Sequence, residues 1–429
     1  MDLRKTDSQI FKLIEAEKKR QQDTLMMIPS ENHVSEAVME ATGSIFTNKY
    51  SEGYARKRYY QGNEYVDEVE ELAISRAKEL FEVPHVNVQP YSGSPANAAV
   101  YMALLKPGDK IMGMKLSEGG HLTHGHPKIT FSGKLFNTIQ YGVGEDGAIN
   151  YNQLSKFVKQ EKPHLIVCGY TAYPRLVDFA KFGKIADSVG AYLLADISHI
   201  AGLVAGKLHP SPIRYAHVIT STTHKTLRGP RGAMIMVTKK GLRRDKDMAT
   251  NIDRAVFPGL QGGPHNHTTA AIAVCLKEAS KAGFRTYVRK IVQNSNILAD
   301  ELTERGWKLS TGGTDTHLLL ADVRPFGING KTAAVALECA GIVVNFNAIP
   351  NDPAPPLKPS GIRFGTPALT TRNMGIPQMR EIAEWMHQVM ELVKDRGEDL
   401  SGLQQSPELR AIAREIAKLG KEFPVPGVE

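Results

Sequence analysis

Cysteine is scarce in this chain. Cys168, Cys275 and Cys339 are odd in number and far apart, so they form neither a disulfide framework nor a pair of metal-ligating thiols. Tryptophan occurs twice, and the densest basic stretches lack the interleaved aromatics or zinc spacing of a dedicated nucleic-acid module. No apolar run approaches the ~18 residues of a membrane span. The N-terminus alternates charged and apolar residues (Met1-Asp2-Leu3-Arg4-Lys5). These absences lead us to expect a soluble, untargeted protein of a reducing cytoplasm, with no membrane association and no metal centre.

What is present describes an ordinary globular enzyme-sized chain. Its 429 residues are 41% hydrophobic and 23% charged, with 38 glycines and 24 prolines, enough for two to three domains and a sizeable core. The 53 basic residues exceed the 45 acidic ones, giving a formal charge of +8, which suits an anionic ligand or weak RNA contact. The densest basic stretches, Lys18–Arg20, Arg56–Arg58 and Lys239–Lys246, read as solvated faces rather than a dedicated nucleic-acid module.

Periodicity organises the chain. Residues 8–22 read as a helix in an N-terminal arm that Pro29 closes. Residues 43–63 fit neither the helical nor the strand period and read as a functional loop. Val66, Val69, Leu72, Ala73, Ala77, Leu80 and Phe81 predict an amphipathic helix that stops before Pro84. The apolar runs 164–169, 191–197, 217–220 and 233–237 predict strands separated by helices such as 178–188, hence a parallel or mixed sheet covered on both faces. A helical stretch from about 266 to 304 follows, then a second alternation of strands and helices, with a domain boundary near 280.

Four segments carry chemistry. In Ser221-Thr222-Thr223-His224-Lys225-Thr226-Leu227-Arg228-Gly229-Pro230-Arg231-Gly232, Lys225 follows an apolar strand end, where partial desolvation favours the neutral amine that Schiff-base chemistry needs. Asp196 ends the run AYLLAD, and a carboxylate at a strand's C-terminal end faces the ligand crevice. It suits a protonated pyridine nitrogen, although a helix N-cap is an equal reading for Asp196 alone. Tyr91-Ser92-Gly93-Ser94-Pro95-Ala96-Asn97 opens a helix, either as a phosphate seat or as an ordinary cap. In Gly119-Gly120-His121-Leu122-Thr123-His124-Gly125-His126, the lack of neighbouring acids or thiols argues against a metal; His121 suits stacking on a planar cofactor, and His124 and His126 read as structural or exposed.

With these segments in hand, the chain resembles serine hydroxymethyltransferases, pyridoxal 5'-phosphate enzymes of the fold-type I aminotransferase superfamily. The similarity runs from about residue 20 to 390, through Pro29-Ser30-Glu31-Asn32, NKYSEGY at 48–54, KRYYQG at 57–62, VNVQPYSGSPAN at 86–97, GGHLTHG at 119–125, ADISHIAGL at 195–203, STTHKTLRGPRG at 221–232, FPGLQGGP at 257–264 and SGIRFGTPALT at 360–370. The resemblance implies an α/β fold, with a large domain on a mostly parallel seven-stranded sheet and a smaller C-terminal α+β domain. The implied segments are an arm and dimer-contact region at 1–80, a large cofactor domain at 81–280 and a small domain at 281–429.

It also implies roles. Lys225 would bond the cofactor, Asp196 would meet its ring nitrogen, His121 would stack on the ring, Ser92, Gly93 and Ser94 would bind its phosphate, and Thr171 and His224 would support it. Ser30, His199 and Arg363 would hold the amino-acid substrate, with Arg363 gripping its carboxylate. Tyr50, Glu52, Gly262 and Gly263 would come from the second subunit of a homodimer or tetramer, Glu52 as proton-transfer group. Leu116, Gly120, Leu122, Asn347 and Tyr60 would line a pocket for tetrahydrofolate or a related reduced pterin. The implied reaction interconverts serine and glycine. The alternatives are a β-hydroxy amino acid aldolase using the same cofactor and, on the positive charge alone, an RNA-binding regulator with a vestigial site. The chain departs from the family pattern at Pro29, Ala55-Arg56, Gln61 and Leu357; Gln61, Phe346 and Leu357 border the expected pterin pocket.

Overall fold

Apolar runs set the frame. The computed structural model describes residues 2–428, and in it the run Leu165–Gly169 is a strand buried at every position. Ala233–Val237 is buried throughout in the same way. Such strands need cover on both faces, which is why they lack the alternation of a half-wet sheet. The chain divides into two units, one of Val34–Arg289 and one of the residues up to His33 together with those from Lys290 onward.

The Val34–Arg289 unit is built on a seven-stranded sheet. Its strands are β1 (His85–Asn87), β2 (Lys110–Met114), β3 (Asn137–Tyr141), β4 (Leu165–Gly169), β5 (Tyr192–Asp196), β6 (Val218–Thr222) and β7 (Ala233–Val237). They lie in the order β1-β7-β6-β5-β4-β2-β3. Neighbours from β3 to β6 are parallel, whereas β7 is antiparallel to both β6 and β1. The register pairs Gly169 with Asp196 and Asp196 with Thr220, so β4 and β5 end level and β6 runs two residues further. Loops leaving level C-terminal strand ends share one crevice, the usual ligand position in such sheets.

The other unit carries a four-stranded antiparallel sheet of β8 (Lys308–Leu309), β9 (Leu318–Asp322), β10 (Asn345–Asn347) and β11 (Gly361–Gly365), in the order β8-β9-β11-β10. Helices Gly330–Cys339, Ile376–Leu392 and Pro407–Glu422 contribute Ala333, Leu337, Met386 and Ile416 to a core shared with Leu319 and Phe364. Residues Leu25 and Met26 pair in parallel with Ile342 and Val343, and Leu25 and Met27 are fully buried in this core.

The predicted helices over 8–22 and 66–81 are Ser8–Asp23 and Glu64–Phe81. The long stretch expected from 266 to 304 is two helices, Asn266–Ala279 and Ala282–Glu304. Ser280 separates them by turning its hydroxyl back onto the Lys277 carbonyl at 2.8 Å, a competing bond that disfavours helix continuation. The units also divide differently from the expected segments. The break near 280 moves to Arg289/Lys290, and 1–80 is split at His33/Val34, because the apolar Leu25–Met27 run is buried with the C-terminal residues. No described helix is long and apolar enough to cross a membrane.

Candidate active site

A cavity of about 200 Å³ opens where β4, β5 and β6 end, walled by Ser92, Gly93, Ser94, His121, His124, Tyr170, Thr171, Asp196, Ser198, His199, Thr222, His224, Lys225 and Arg231. Helix Gly93–Leu104 points its start at this cavity, and its first backbone bond runs from Ala96 N–H to Ser92 C=O. The N–H groups of Gly93 and Ser94 therefore lie ahead of the helical ladder, at the positive end of the dipole. Gly93 sits so close to β6 that a Cβ there would come 2.9 Å from Thr222 Cγ2. Only a residue without a side chain lets the helix start this near the strand end.

Asp196 stands at the end of β5 with its carboxylate fully engaged. Oδ2 accepts from His124 Nε2 at 2.9 Å and from Asn97 Nδ2 at 2.9 Å, and Oδ1 accepts from Ser198 N–H at 3.0 Å. Burial raises this carboxyl's pKa, but the hydrogen bond and charge of His124, with the bonds from Asn97 and Ser198, outweigh it and hold the group far below the usual carboxylate range. Asn97 is itself set by Thr220, whose hydroxyl donates to its Oδ1 at 2.7 Å. The result is a fixed anion in the cavity wall.

His121 is oriented by its neighbour. Thr123 N–H donates to His121 Nδ1 at 3.1 Å, which makes Nδ1 an acceptor and leaves the proton on Nε2. Sequence reasoning took His124 as structural or exposed, but it is 1% exposed and bonded to Asp196, so it belongs to the site. Thr222, Ser198, Tyr170 and Arg231 also enter the walls without having been singled out, and Asn97 supports the wall residue Asp196. The missed signal was the register that brings separate strand ends level.

Lys225 lies on a closed turn after β6. Gly229 N–H donates to the Thr223 carbonyl at 2.7 Å, Arg228 N–H to the Lys225 carbonyl at 3.0 Å, and the Thr223 hydroxyl to the Pro230 carbonyl at 2.6 Å. A Cβ at Gly229 would meet Cys275 Sγ at 2.6 Å, so the turn packs directly on the next helix. Lys225 Nζ donates to Thr222 Oγ1 at 3.1 Å. Thr226 ties the turn to the β5 loop, donating to the His199 carbonyl at 2.8 Å and accepting from Gly202 N–H at 3.0 Å. Burial and the charges of Lys225 and Arg231 push His224 down to about 3, so it is neutral near pH 7. Its Nδ1 is buried without a protein partner. Thr171 Oγ1 donates to the Gly120 carbonyl at 2.8 Å, joining the β4 loop to the His121 loop.

Tyr50, Glu52, Tyr60, Gly262 and Gly263 are not among the cavity's walls. They gather in a cluster of their own. The Tyr50 hydroxyl donates to Glu52 Oε1 at 3.0 Å, and the Tyr50 and Tyr60 rings meet edge to face at 5.2 Å. Positions where Gly262 and Gly263 would carry Cβ atoms lie 3.1 Å from Glu52 Oε1 and 3.2 Å from Tyr50 Cε2. Leu116 and Leu122 are partly exposed large apolar residues flanking Gly120 on the His121 loop.

Ser30, Asn347 and Arg363 belong to the other unit. Arg363 lies on β11, paired with Leu320 on one side and Asn345 on the other, and its Nε donates to Asn345 Oδ1 at 3.0 Å. Burial pushes its guanidinium down to about 10, with the Glu31 charge opposing, so it is charged near pH 7. Ser30 lies on a segment bounded by one backbone and one side-chain anchor. Gly365 N–H donates to the Met27 carbonyl at 2.7 Å, and the Thr371 hydroxyl donates to Asn32 Oδ1 at 2.7 Å. Phe346 and Leu357 are exposed.

The cavity suits a planar, phosphate-bearing aldehyde in the chemistry of its walls: an amine, a fixed carboxylate, a ring and a helix start. A buried imidazole nitrogen of His224 and another of His124 have no protein partner there. A family model described as serine hydroxymethyltransferase matches residues 3–386. Among curated relatives, proteins named serine hydroxymethyltransferase from Acidothermus cellulolyticus and Sorangium cellulosum are similar to this chain. The first is 53% identical over 99% of this chain and 97% of its own. The second is 55% identical over the same shares. One of that name from Desulfotalea psychrophila is 52% identical over 100% of this chain and 96% of its own.

Proposed function

The chain belongs to the serine hydroxymethyltransferase family, and from that premise we infer that the cavity around Lys225 is its pyridoxal-phosphate site. The reaction is the reversible transfer of the serine hydroxymethyl carbon to tetrahydrofolate, giving glycine and 5,10-methylenetetrahydrofolate. The fold is that of the fold-type I pyridoxal-phosphate enzymes. When bound, the cofactor withdraws electrons from the Cα of the attached amino acid and so makes its Cα–Cβ bond breakable.

The chain's own residues supply the rest. Lys225 would bond the cofactor aldehyde, Asp196 would hold a proton on the ring nitrogen, and His121 would cover a ring face. The Gly93 and Ser94 N–H groups with the Ser92 and Ser94 hydroxyls would bind the phosphate. Thr171, His199 and His224 complete the cofactor's surroundings. Ser30, His199 and Arg363 would bind the amino acid, with Arg363 forming a bidentate pair with its carboxylate. Leu116, Gly120, Leu122, Asn347 and Tyr60 would line the pterin pocket.

Glu52 would transfer the proton at Oε1, held by the Tyr50 hydroxyl. Within one chain this pair lies with Gly262 and Gly263, apart from the cavity walls. That separation supports a homodimer in which each copy lends Tyr50, Glu52, Gly262 and Gly263 to the other's cavity. The observation that carries the reading is the amine of Lys225 facing the same cavity as the fixed anion of Asp196 and a helix start. Borohydride reduction of the cofactor-loaded protein, followed by peptide mapping, should place the pyridoxyl label on Lys225. A label on any other lysine overturns the assignment.

A further inference from the structure

The loop that carries Tyr50 and Glu52 has little regular structure of its own, only a short helical turn at Ile45–Asn48 and a two-residue hairpin pairing Gly53–Tyr54 with Lys57–Arg58. Its shape must come from side chains outside it. Two buried groups hold its far half. Arg58, with a side chain 3% exposed, donates to Asp67 Oδ1 at 2.8 Å, to Glu70 Oε2 at 3.0 Å and to the Ser51 and Gly53 carbonyls. The Tyr54 hydroxyl donates to the Asp253 carbonyl at 2.6 Å.

The near half, which Arg58 reaches at the Ser51 carbonyl, is held on both sides of Tyr50 by a further buried residue. Asn266, 3% exposed, donates from Nδ2 to the Lys49 carbonyl at 2.6 Å and accepts at Oδ1 from the Ser51 hydroxyl at 2.6 Å. It thus engages the residue before Tyr50 and the residue after it with the two ends of a single amide. Asn266 is also the first residue of helix Asn266–Ala279, three places beyond Gly263. The same rigid element therefore sets Tyr50 and Glu52 and anchors the glycine pair that packs against them.

We propose that Asn266 is a positioning residue for the reaction: its amide clamps the residues on both sides of Tyr50, Lys49 by its carbonyl and Ser51 by its hydroxyl, and thereby aims the Tyr50–Glu52 pair into the cavity of the other copy. The proposal rests on the reading that this pair is lent across a dimer. The amide suits the task because one end donates and the other accepts. Its bond to Ser51 is buried and its bond to Lys49 partly so, so losing them leaves the Ser51 hydroxyl unsatisfied and the loop free to shift.

The test uses Asn266→Ala and, as a milder variant, Ser51→Ala, which removes the donor to Oδ1 and leaves the bond to Lys49. In cofactor-loaded Asn266→Ala, serine cleavage with tetrahydrofolate should fall about ten- to a hundredfold. Borohydride labelling of Lys225 should be unchanged, and amides of residues 49–53 should exchange hydrogen faster. Ser51→Ala should lose less in the same direction. Coexpressing differently tagged Asn266→Ala and Lys225→Ala chains and isolating doubly tagged dimers should restore about half of wild-type activity, because one site then has an intact lysine and an intact loop. Glu52→Gln with Lys225→Ala, isolated in the same way, is the control. Should Asn266→Ala not fold, Ser51→Ala takes its place in the hybrid. Full activity of Asn266→Ala overturns the proposal, as does a failed Asn266 hybrid beside a restored Glu52 hybrid. Failure of both hybrids overturns the shared-site reading and the proposal with it.

Discussion

At the scale of single residues, the site depends on charges whose partners are fixed before any ligand arrives. Arg363 is held by Asn345 Oδ1 at its Nε, and its guanidinium is charged near pH 7 although burial lowers it. Losing a charge-assisted pair with a substrate carboxylate should cost about 2–5 kcal/mol. Arg363→Ala should accordingly raise the KM for serine and weaken glycine severely while leaving bound cofactor at wild-type levels. An unaltered serine KM would remove the role. Glu52→Gln keeps the shape and the bond to Tyr50 but withdraws the transferable proton. Tetrahydrofolate-dependent serine cleavage should collapse while the spectral response of the loaded enzyme to glycine alone persists; equal loss of both would reassign Glu52 to a structural role. Lys225, Asp196 and the Ser92–Ser94 turn were visible in the sequence as chemistry. His124 was not, because a histidine's worth depends on a partner that only the fold brings to 2.9 Å.

At the scale of elements, two junctions bear the load. The start of helix Gly93–Leu104 abuts β6 with no space for a Cβ, so Gly93→Ala must push the helix or Thr222 aside, at a cost of about 1–3 kcal/mol. Since that displacement moves the proposed phosphate seat, cofactor affinity should fall more than fold stability, and a fluorescence titration with pyridoxal phosphate reads it; unchanged affinity would show that the helix start does not bind the phosphate. In the other unit, Arg372 is 1% exposed and caps two helix ends together. It donates to the Gln22 and Thr24 carbonyls, at the end of helix Ser8–Asp23, and to the Gly420 and Phe423 carbonyls, at the end of helix Pro407–Glu422. Burial pushes the guanidinium down to about 10, still charged near neutrality. Arg372→Met should destabilise by about 2–4 kcal/mol, because several buried carbonyls lose their donor together. Urea unfolding measures this, and a change below about 0.5 kcal/mol would show that water replaces the arginine.

For the whole molecule, Tyr50 and Glu52 are not among the walls of the Lys225 cavity within one chain, and the proposed sharing of that cavity between copies would make the active unit larger than one chain. If the homodimer shares its sites, two chains damaged in different halves must complement. Coexpressed Lys225→Ala and Glu52→Gln chains, isolated as doubly tagged hybrids, should recover about half of wild-type activity from two nearly inactive parents. Hybrids confirmed by mass that remain at the parental level would show that lysine and glutamate act within one chain.

The sequence by itself determined the local and repetitive features. The helices over 66–81 and 178–188, the apolar strands and the ordered motifs follow from period and composition, since burial on both faces demands unbroken apolar runs whatever lies beside them. It also placed Lys225 at a strand end, because the change from an apolar run to Ser, Thr and Gly marks that end. Tertiary structure alone decided which strand ends stand level, that the Leu25–Met27 run joins the C-terminal core, and that one buried asparagine brackets Tyr50. Each of these depends on contacts between residues far apart in the chain, and a linear pattern records the demand for burial or a hydrogen-bond partner without saying which distant group will meet it.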